Sequence, residues 1–238
     1  YRINDVQTTY SDGLLPRPMV AKHRAFINMA YSTSGLWTFD ITWSWQGAKR
    51  IPSTESNPEP YRMETFPFDR QPALKKRKIL SLYDSFDYIT DCRNIIWIGP
   101  TGVGKTGLAT AFLNQAIDKG YSGRFVTFSE IVEQLYQSVA DHSEAKVVKT
   151  YSSYDCLLID ELGYIEVEPV QVGLFFTLMH KRHKKKTTMI TTNLGFQQWN
   201  DFLKNDHLTA ALIDRLTENS HVINMKKCTS LRPKLAAE

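Results

Sequence analysis

Ile95-Ile96-Trp97-Ile98-Gly99-Pro100-Thr101-Gly102-Val103-Gly104-Lys105-Thr106 decides the fold. Four apolar residues of strand length run into a glycine-rich turn, and Leu108-Ala109-Thr110-Ala111-Phe112-Leu113 leads out as a helix. A buried strand, a glycine turn and a helix start form the setting that a phosphate-binding loop requires. Glycines let backbone amides close around a triphosphate with no side chain in the way. The helix N-terminus adds unpaired N–H groups and a partial positive charge. On this reading Gly99, Pro100, Thr101, Gly102, Val103 and Gly104 line the phosphates, Lys105 reaches the β- and γ-phosphates, and the Thr106 hydroxyl binds Mg²⁺. The competing reading is an ordinary glycine-rich turn, and the strand before and the helix after it disfavour that.

A second constellation follows at Cys156-Leu157-Leu158-Ile159-Asp160-Glu161, a buried strand that ends in two carboxylates. In a parallel sheet its end falls on the side of the phosphate loop. Asp160 is expected to hold Mg²⁺ and Glu161 to polarise the attacking water. A glutamate beside the Mg²⁺ carboxylate points to ATP hydrolysis rather than to transfer onto a small acceptor. Thr191-Thr192-Asn193 ends the next strand, where the Asn193 amide can bond the γ-phosphate or the attacking water. In Leu208-Thr-Ala-Ala-Leu-Ile-Asp-Arg-Leu216, three leucines share one helix face and Arg215 falls off that stripe.

The rest of the chain alternates strand and helix. The pattern predicts a helix over 72–89, strand 94–98, helix 105–118 and strand 123–128. Ser129 is read as the N-cap of the next helix. Strand 156–160 follows, then a helix from Pro169 to about Lys184 with Val170, Leu174, Phe175 and Leu178 inward, and strand 187–192. That order argues for a doubly wound α/β domain over 61–238. Residues 1–60 differ. They hold three of the five tryptophans, little helical periodicity, a strand-like alternation at 36–43 and a linker-like stretch at 51–60.

Nothing in the 238 residues approaches the ~18 apolar residues that would span a bilayer. The polar start carries no secretory signal, and Cys92, Cys156 and Cys228 share no metal-type spacing. Together these predict reduced thiols, a cytoplasmic protein and no membrane partner. The formal net charge of +4 is mild, but Lys75-Lys76-Arg77-Lys78, Lys181-Arg182-His183-Lys184-Lys185-Lys186 and Lys226-Lys227 are local basic runs. Solvated helix ends and contacts to nucleic-acid phosphates both account for them. His180 and His183 sit three apart and, with no third ligand in sight, are read as surface residues.

Taken together, these segments resemble the IstB-like ATPases, transposition helpers of bacterial insertion sequences and relatives of the DnaC helicase loaders in the AAA+ group. The resemblance rests on Phe66-Pro-Phe-Asp-Arg-Gln-Pro-Ala-Leu74, Ile98 to Thr106, Lys119-Gly-Tyr-Ser-Gly-Arg-Phe-Val-Thr127, Leu158-Ile-Asp-Glu-Leu-Gly-Tyr164, Thr191-Thr-Asn-Leu-Gly-Phe196 and Ala211-Leu-Ile-Asp-Arg-Leu216. It covers about residues 62–235, and the order and spacing of the motifs are its most specific feature. It implies an AAA+ type P-loop NTPase, a parallel sheet flanked by helices, with ATP and Mg²⁺ as cofactors. By the resemblance Asn193 corresponds to the first sensor and Arg215 looks like an arginine finger acting on a neighbouring subunit's ATP. Arg232 is similar to the second sensor, although the family usually has glycine where this chain has Cys228.

What it implies for function is an ATPase that forms a homo-oligomer on DNA and assists the transposase of its element. DNA would be held by backbone contacts with weak sequence preference, Lys184, Lys185 and Lys186 among them. A replicative helicase loader of the DnaC type and a nucleotide-gated DNA-binding protein with negligible turnover remain the alternatives. Family members usually carry a charged helical recruitment segment at the N-terminus. The tryptophan-rich 1–60 does not look like it, so this segment is either a divergent replacement or a stretch that folds poorly.

Overall fold

A computed structural model describes residues 62–232 throughout, together with the backbone of five strands within the first sixty residues. The chain divides into two compact units, Tyr1–Pro60 and Tyr61–Glu238. In the first, His23–Ser32 and Thr38–Gln46 pair antiparallel with Ile27 opposite Trp43, and Asn4–Asp5 pairs with the start of His23–Ser32. A second small pair joins Gln7–Tyr10 to Gly13–Pro16. The alternating stretch is thus a strand from Thr38 onward. Its two preceding residues and the stretch 51–60 lie outside the described residues.

The second unit is built on five parallel strands: β1 (Asn94–Ile98), β2 (Gly123–Thr127), β3 (Cys156–Leu162), β4 (Thr187–Thr192) and β5 (Ser220–Asn224). Their order across the sheet is β5-β1-β4-β3-β2. Side chains alternate between the two faces, and each face has its own core. Ile95, Trp97, Leu158 and Met189 pack under α1 (Lys76–Ser85), α2 (Asp87–Thr90) and α3 (Lys105–Asp118). Ile96, Ile98, Leu157, Ile159 and Ile190 pack under the opposite layer. That layer comprises α4 (Phe128–Ala140), α5 (Glu144–Ser153), α6 (Pro169–Arg182), α7 (Trp199–Leu203) and α8 (Asp206–Thr217). After β1 the chain crosses to β2 at the far edge, and both neighbours of β1 arrive later. This leaves a crevice at the C-terminal end of β1, where such sheets bind ligands. Among the described residues no helix is long and apolar enough to cross a membrane.

Several element boundaries differ from those expected. The helix over 72–89 is two helices, because Phe86 takes a left-handed conformation (φ 58°) that ends α1 and turns its ring to Tyr88, with centroids 5.2 Å apart. Thr127, not Ser129, caps α4. Its hydroxyl accepts from the Glu130 N–H while the Glu130 carboxylate accepts from the Thr127 N–H, so strand β2 stops there. Helix α6 ends at Arg182 because that side chain turns into the protein to donate to the carbonyls of Tyr151, Tyr154 and Thr187. Its buried face is Val172, Phe175, Leu178, Met179 and Arg182, whereas Val170 stands 52% exposed. Strand β3 runs past Asp160 to Leu162 through a register shift against β4.

Candidate nucleotide site

The glycine turn grows out of β1 and is fixed from both sides. The Gly99 N–H donates to Thr192 O on β4 (3.1 Å), and the Met225 N–H donates to Ile98 O (2.6 Å). Gly102 and Gly104 have φ of 82° and 95°, a conformation that a side chain strains. There is also no room for one. A Cβ on Gly102 would lie 2.6 Å from Ser230 Oγ, and one on Gly104 would lie 2.7 Å from Phe66 Cε2. The loop therefore presents bare backbone at the start of α3, as a phosphate cradle must.

Lys105 opens α3 and is buried to 6% exposure. Its Nζ curls back to donate to Pro100 O at 2.9 Å, across the turn it would share with a phosphate. Burial holds its pKa below the ordinary lysine range and the charge of Arg232 adds to that, while Asp160 and Glu161 pull the other way. The next residue, Thr106, donates from Oγ1 to both oxygens of Asp160, at 3.0 and 3.1 Å.

Asp160 is buried, and burial pushes its pKa up against the hydrogen bonds from Thr191 and Thr106 and the charge of Lys105. The register shift in β3 separates the two carboxylates. Asp160 faces inward beside Thr106, while Glu161 takes φ 61° and is exposed, its N–H donating to Thr191 Oγ1 at 3.1 Å. Thr191 Oγ1 in turn donates to Asp160 Oδ1. Asn193 follows β4 directly, half-buried, and its Oδ1 has no hydrogen-bond partner among the described residues.

Arg232 reaches the loop from the C-terminal side. The Leu231 N–H donates to Gly102 O (2.8 Å), and the Arg232 stem lies 3.4 Å from where a Gly102 Cβ would be. The structure thus brings together Gly99 to Thr106, Asp160, Glu161, Asn193 and Arg232. These groups suit a Mg²⁺–nucleotide: hard oxygen donors on Thr106 and Asp160 and two cations around a bare backbone turn.

Arg215 is not among them. It lies on α8 just before β5, and Asn94 Nδ2 at the start of β1 donates to its neighbour Leu216 O (3.2 Å). Arg215 therefore sits at the N-terminal edge of the sheet, the end opposite the glycine turn. Its guanidinium donates to Ala211 O (2.8 Å) and His180 Nδ1 (3.3 Å) and lies 4.9 Å above the Phe176 ring. His180 is exposed, as expected of a surface residue. His183 is not a surface residue: it closes α6 half-buried, with Nδ1 3.0 Å from Arg215 O and Nε2 3.1 Å from Glu218. The basic run is also less free than its sequence implies. Arg182 is buried, Lys184 pairs with Glu218 (2.5 Å) and Lys186 with Asp155 (2.5 Å). Sequence reasoning gave no role to Thr191, which ties both acidic residues to β4. The only signal was its place two residues before Asn193.

The chain is similar to known proteins. The family model described as IstB-like ATP binding protein matches residues 55–237. The insertion sequence IS232 putative ATP-binding protein of Bacillus thuringiensis subsp. berliner is 33% identical over 70% of this chain and 67% of its own. The chain matches less of another relative, 62% of the IS21 putative ATP-binding protein of Pseudomonas aeruginosa, which is 30% identical over 69% of this chain. Among solved structures, the DnaC helicase loader superposes with a TM-score of 0.54 at 23% identity over 63% of this chain and 88% of that one. At that identity the likeness speaks for the fold.

Proposed function

The chain belongs to the IstB-like ATP-binding protein family of insertion sequences, and from that premise we propose that it hydrolyses ATP, assembles on DNA and assists the transposase of its element. The observation that carries the hydrolysis is the split between the two acidic residues. Asp160 is buried against the Thr106 hydroxyl, and Glu161 beside it is exposed.

In this reading the backbone amides of Gly102 to Thr106 and the Lys105 ammonium hold the β- and γ-phosphates. Thr106 and Asp160 hold Mg²⁺, which supplies the charge that offsets the phosphate oxygens. Glu161 takes a hydrogen bond from the attacking water and draws its proton away. Asn193, directly after β4, suits either a phosphate oxygen or that water, since its amide can both donate and accept. Arg232 adds a cation at the phosphates. Arg215 stands at the far end of the sheet from its own loop and can serve only a neighbouring subunit, where it neutralises charge on the transferring group. The resemblance of Ala211-Leu-Ile-Asp-Arg-Leu216 to the family supports that assembly.

DNA binding draws on the basic runs at 75–78, 181–186 and 226–227. Lys184 and Lys186 pair with Glu218 and Asp155. Both pairs are at least partly exposed and weak enough to exchange for phosphates, so the contacts go to phosphates with weak sequence preference and strong salt dependence. The test is ATP turnover at rising protein concentration, with and without double-stranded DNA, beside Arg215→Ala. Turnover that rises cooperatively with both and is lost in the variant supports the reading. Turnover independent of both, and retained in the variant, refutes the assembled site.

A further inference from the structure

The segment Phe66 to Leu74 carries part of the family resemblance but has no part in the chemistry above. Its Gln71 is fully buried, yet it is polar and spends every group it has on two other segments. Nε2 donates to Val103 O in the phosphate loop (3.1 Å) and to Thr229 O (2.6 Å), and Oε1 accepts from the Thr229 N–H (3.1 Å). The paired bonds to Thr229 copy one rung of a β-ladder, made by a side chain. Residues before it add to the clamp: Thr229 Oγ1 donates to Arg70 O (3.3 Å), Arg70 donates to Leu231 O (3.2 Å), and Phe66 packs against Gly104. The tail 229–232 reaches the loop by one backbone bond of its own, Leu231 N–H to Gly102 O.

We propose that Gln71 is a positioning residue: it pins the tail 229–232 to the phosphate loop and so sets the Arg232 side chain at the phosphates. The proposal rests on the reading of Arg232 given above. An amide is needed because the role combines two donations with one acceptance at a buried point. Without it, Val103 O is left buried and unpaired, the Thr229 N–H and C=O lose their part-buried partner, and the tail comes away.

The test is a double-mutant cycle on the full chain, read as affinity for a fluorescent non-hydrolysable ATP analogue, with Gln71→Met, Arg232→Ala and both. Each single change is expected to weaken binding about tenfold, and the double no further than either, since one acts through the other. Amide exchange of the peptide carrying Thr229 and Leu231 is expected to speed up in Gln71→Met while that of β1 stays slow. This readout separates release of the tail from loss of the fold. If Gln71→Met does not fold, Gln71→Glu runs the same cycle, keeping the acceptor but setting a carboxylate against two carbonyls. Two losses that multiply, or an unchanged tail exchange, overturn the proposal and leave Arg232 in place. An Arg232→Ala variant with unchanged affinity removes the reading of Arg232 itself, and the proposal with it.

Discussion

Thr106 Oγ1 donates to both oxygens of the Asp160 carboxylate, so the first turn of α3 and the end of β3 are joined where a metal ion would sit. A buried carboxylate held by two hydroxyls keeps its place before any ion arrives. Asp160→Asn keeps the shape and removes the charge. It is expected to leave nucleotide binding without Mg²⁺ within about twofold and to lower Mg²⁺-dependent turnover by about 100-fold or more. A Mg²⁺ titration of ATP hydrolysis reads the turnover, and binding of a fluorescent ATP analogue in chelator reads the affinity. Turnover within a few-fold of wild type would remove Asp160 from the metal site.

Glu161 faces solvent beside that carboxylate, at the residue where β3 changes register. Glu161→Gln keeps the side-chain length and loses the base. Turnover is expected to fall by about 100- to 1,000-fold with nucleotide affinity unchanged, so that ATP-bound assemblies accumulate. Single-turnover hydrolysis with gel filtration in ATP measures both. Normal turnover in the variant assigns the water to another group.

Arg215 can complete a site only from a neighbour. Lys105→Ala removes nucleotide binding from its own subunit but keeps its Arg215, and Arg215→Ala does the reverse. Each variant alone is expected to be inactive, with turnover lower by about 1,000-fold. Mixed in equal amounts, they are expected to recover a readily measured fraction, because some interfaces pair an intact loop with an intact arginine. A mixture as silent as its parts excludes action in trans.

Arg182 was legible in the sequence only as one cation in a basic run. Among the described residues it is buried without a carboxylate partner, donating to Thr188 Oγ1 (3.0 Å), to the carbonyls of Tyr151 and Tyr154 (2.8 Å each) and to Thr187 O. Burial lowers its pKa to about 10, so it remains charged at neutral pH. Arg182→Met takes a donor away from the carbonyls of Tyr151, Tyr154 and Thr187 and is expected to cost about 3 kcal/mol of unfolding free energy. Arg182→Lys is expected to recover little of it, since one ammonium cannot span that fork. Denaturant unfolding at neutral pH decides it, and a loss below about 1 kcal/mol would mean that water takes over the bonds.

The same contrast explains what the sequence reveals. The strands β1, β3 and β4 were readable because a strand buried on both faces must be apolar throughout. The glycine turn was readable because its backbone geometry admits few residues. Thr191, Gln71 and Arg182 were not readable. Their roles depend on partners 31, 158 and 31 residues away, and no local pattern encodes those distances. The helix breaks at Phe86 and Arg182 belong to the same class, because each is set by where one side chain must go and not by periodicity.

Asp155 precedes β3 and gathers three donors: the Ser122 N–H (2.9 Å), Ser122 Oγ (2.6 Å) and Lys186 Nζ (2.5 Å). Partial burial pushes its pKa up, but the bonds from Lys186 and Ser122 outweigh that and bring it down to about 2 from an ordinary 3.8. A carboxylate depressed in the folded state stabilises the fold fully above its unfolded pKa. That stability is lost as pH falls from 3.8 towards 2, where the unfolded chain takes up the proton first. Asp155→Asn is therefore expected to be less stable than wild type at neutral pH. The gap should close between pH 4 and 2, where the variant has no such proton to bind. Because Asp155 and Lys186 are both about a third exposed, 30% and 35%, added salt is expected to narrow the gap at neutral pH as well. Denaturant midpoints across that pH range, at low and high salt, make the check. A variant that loses stability in acid as steeply as wild type would place the acid-sensitive bonds elsewhere in the fold.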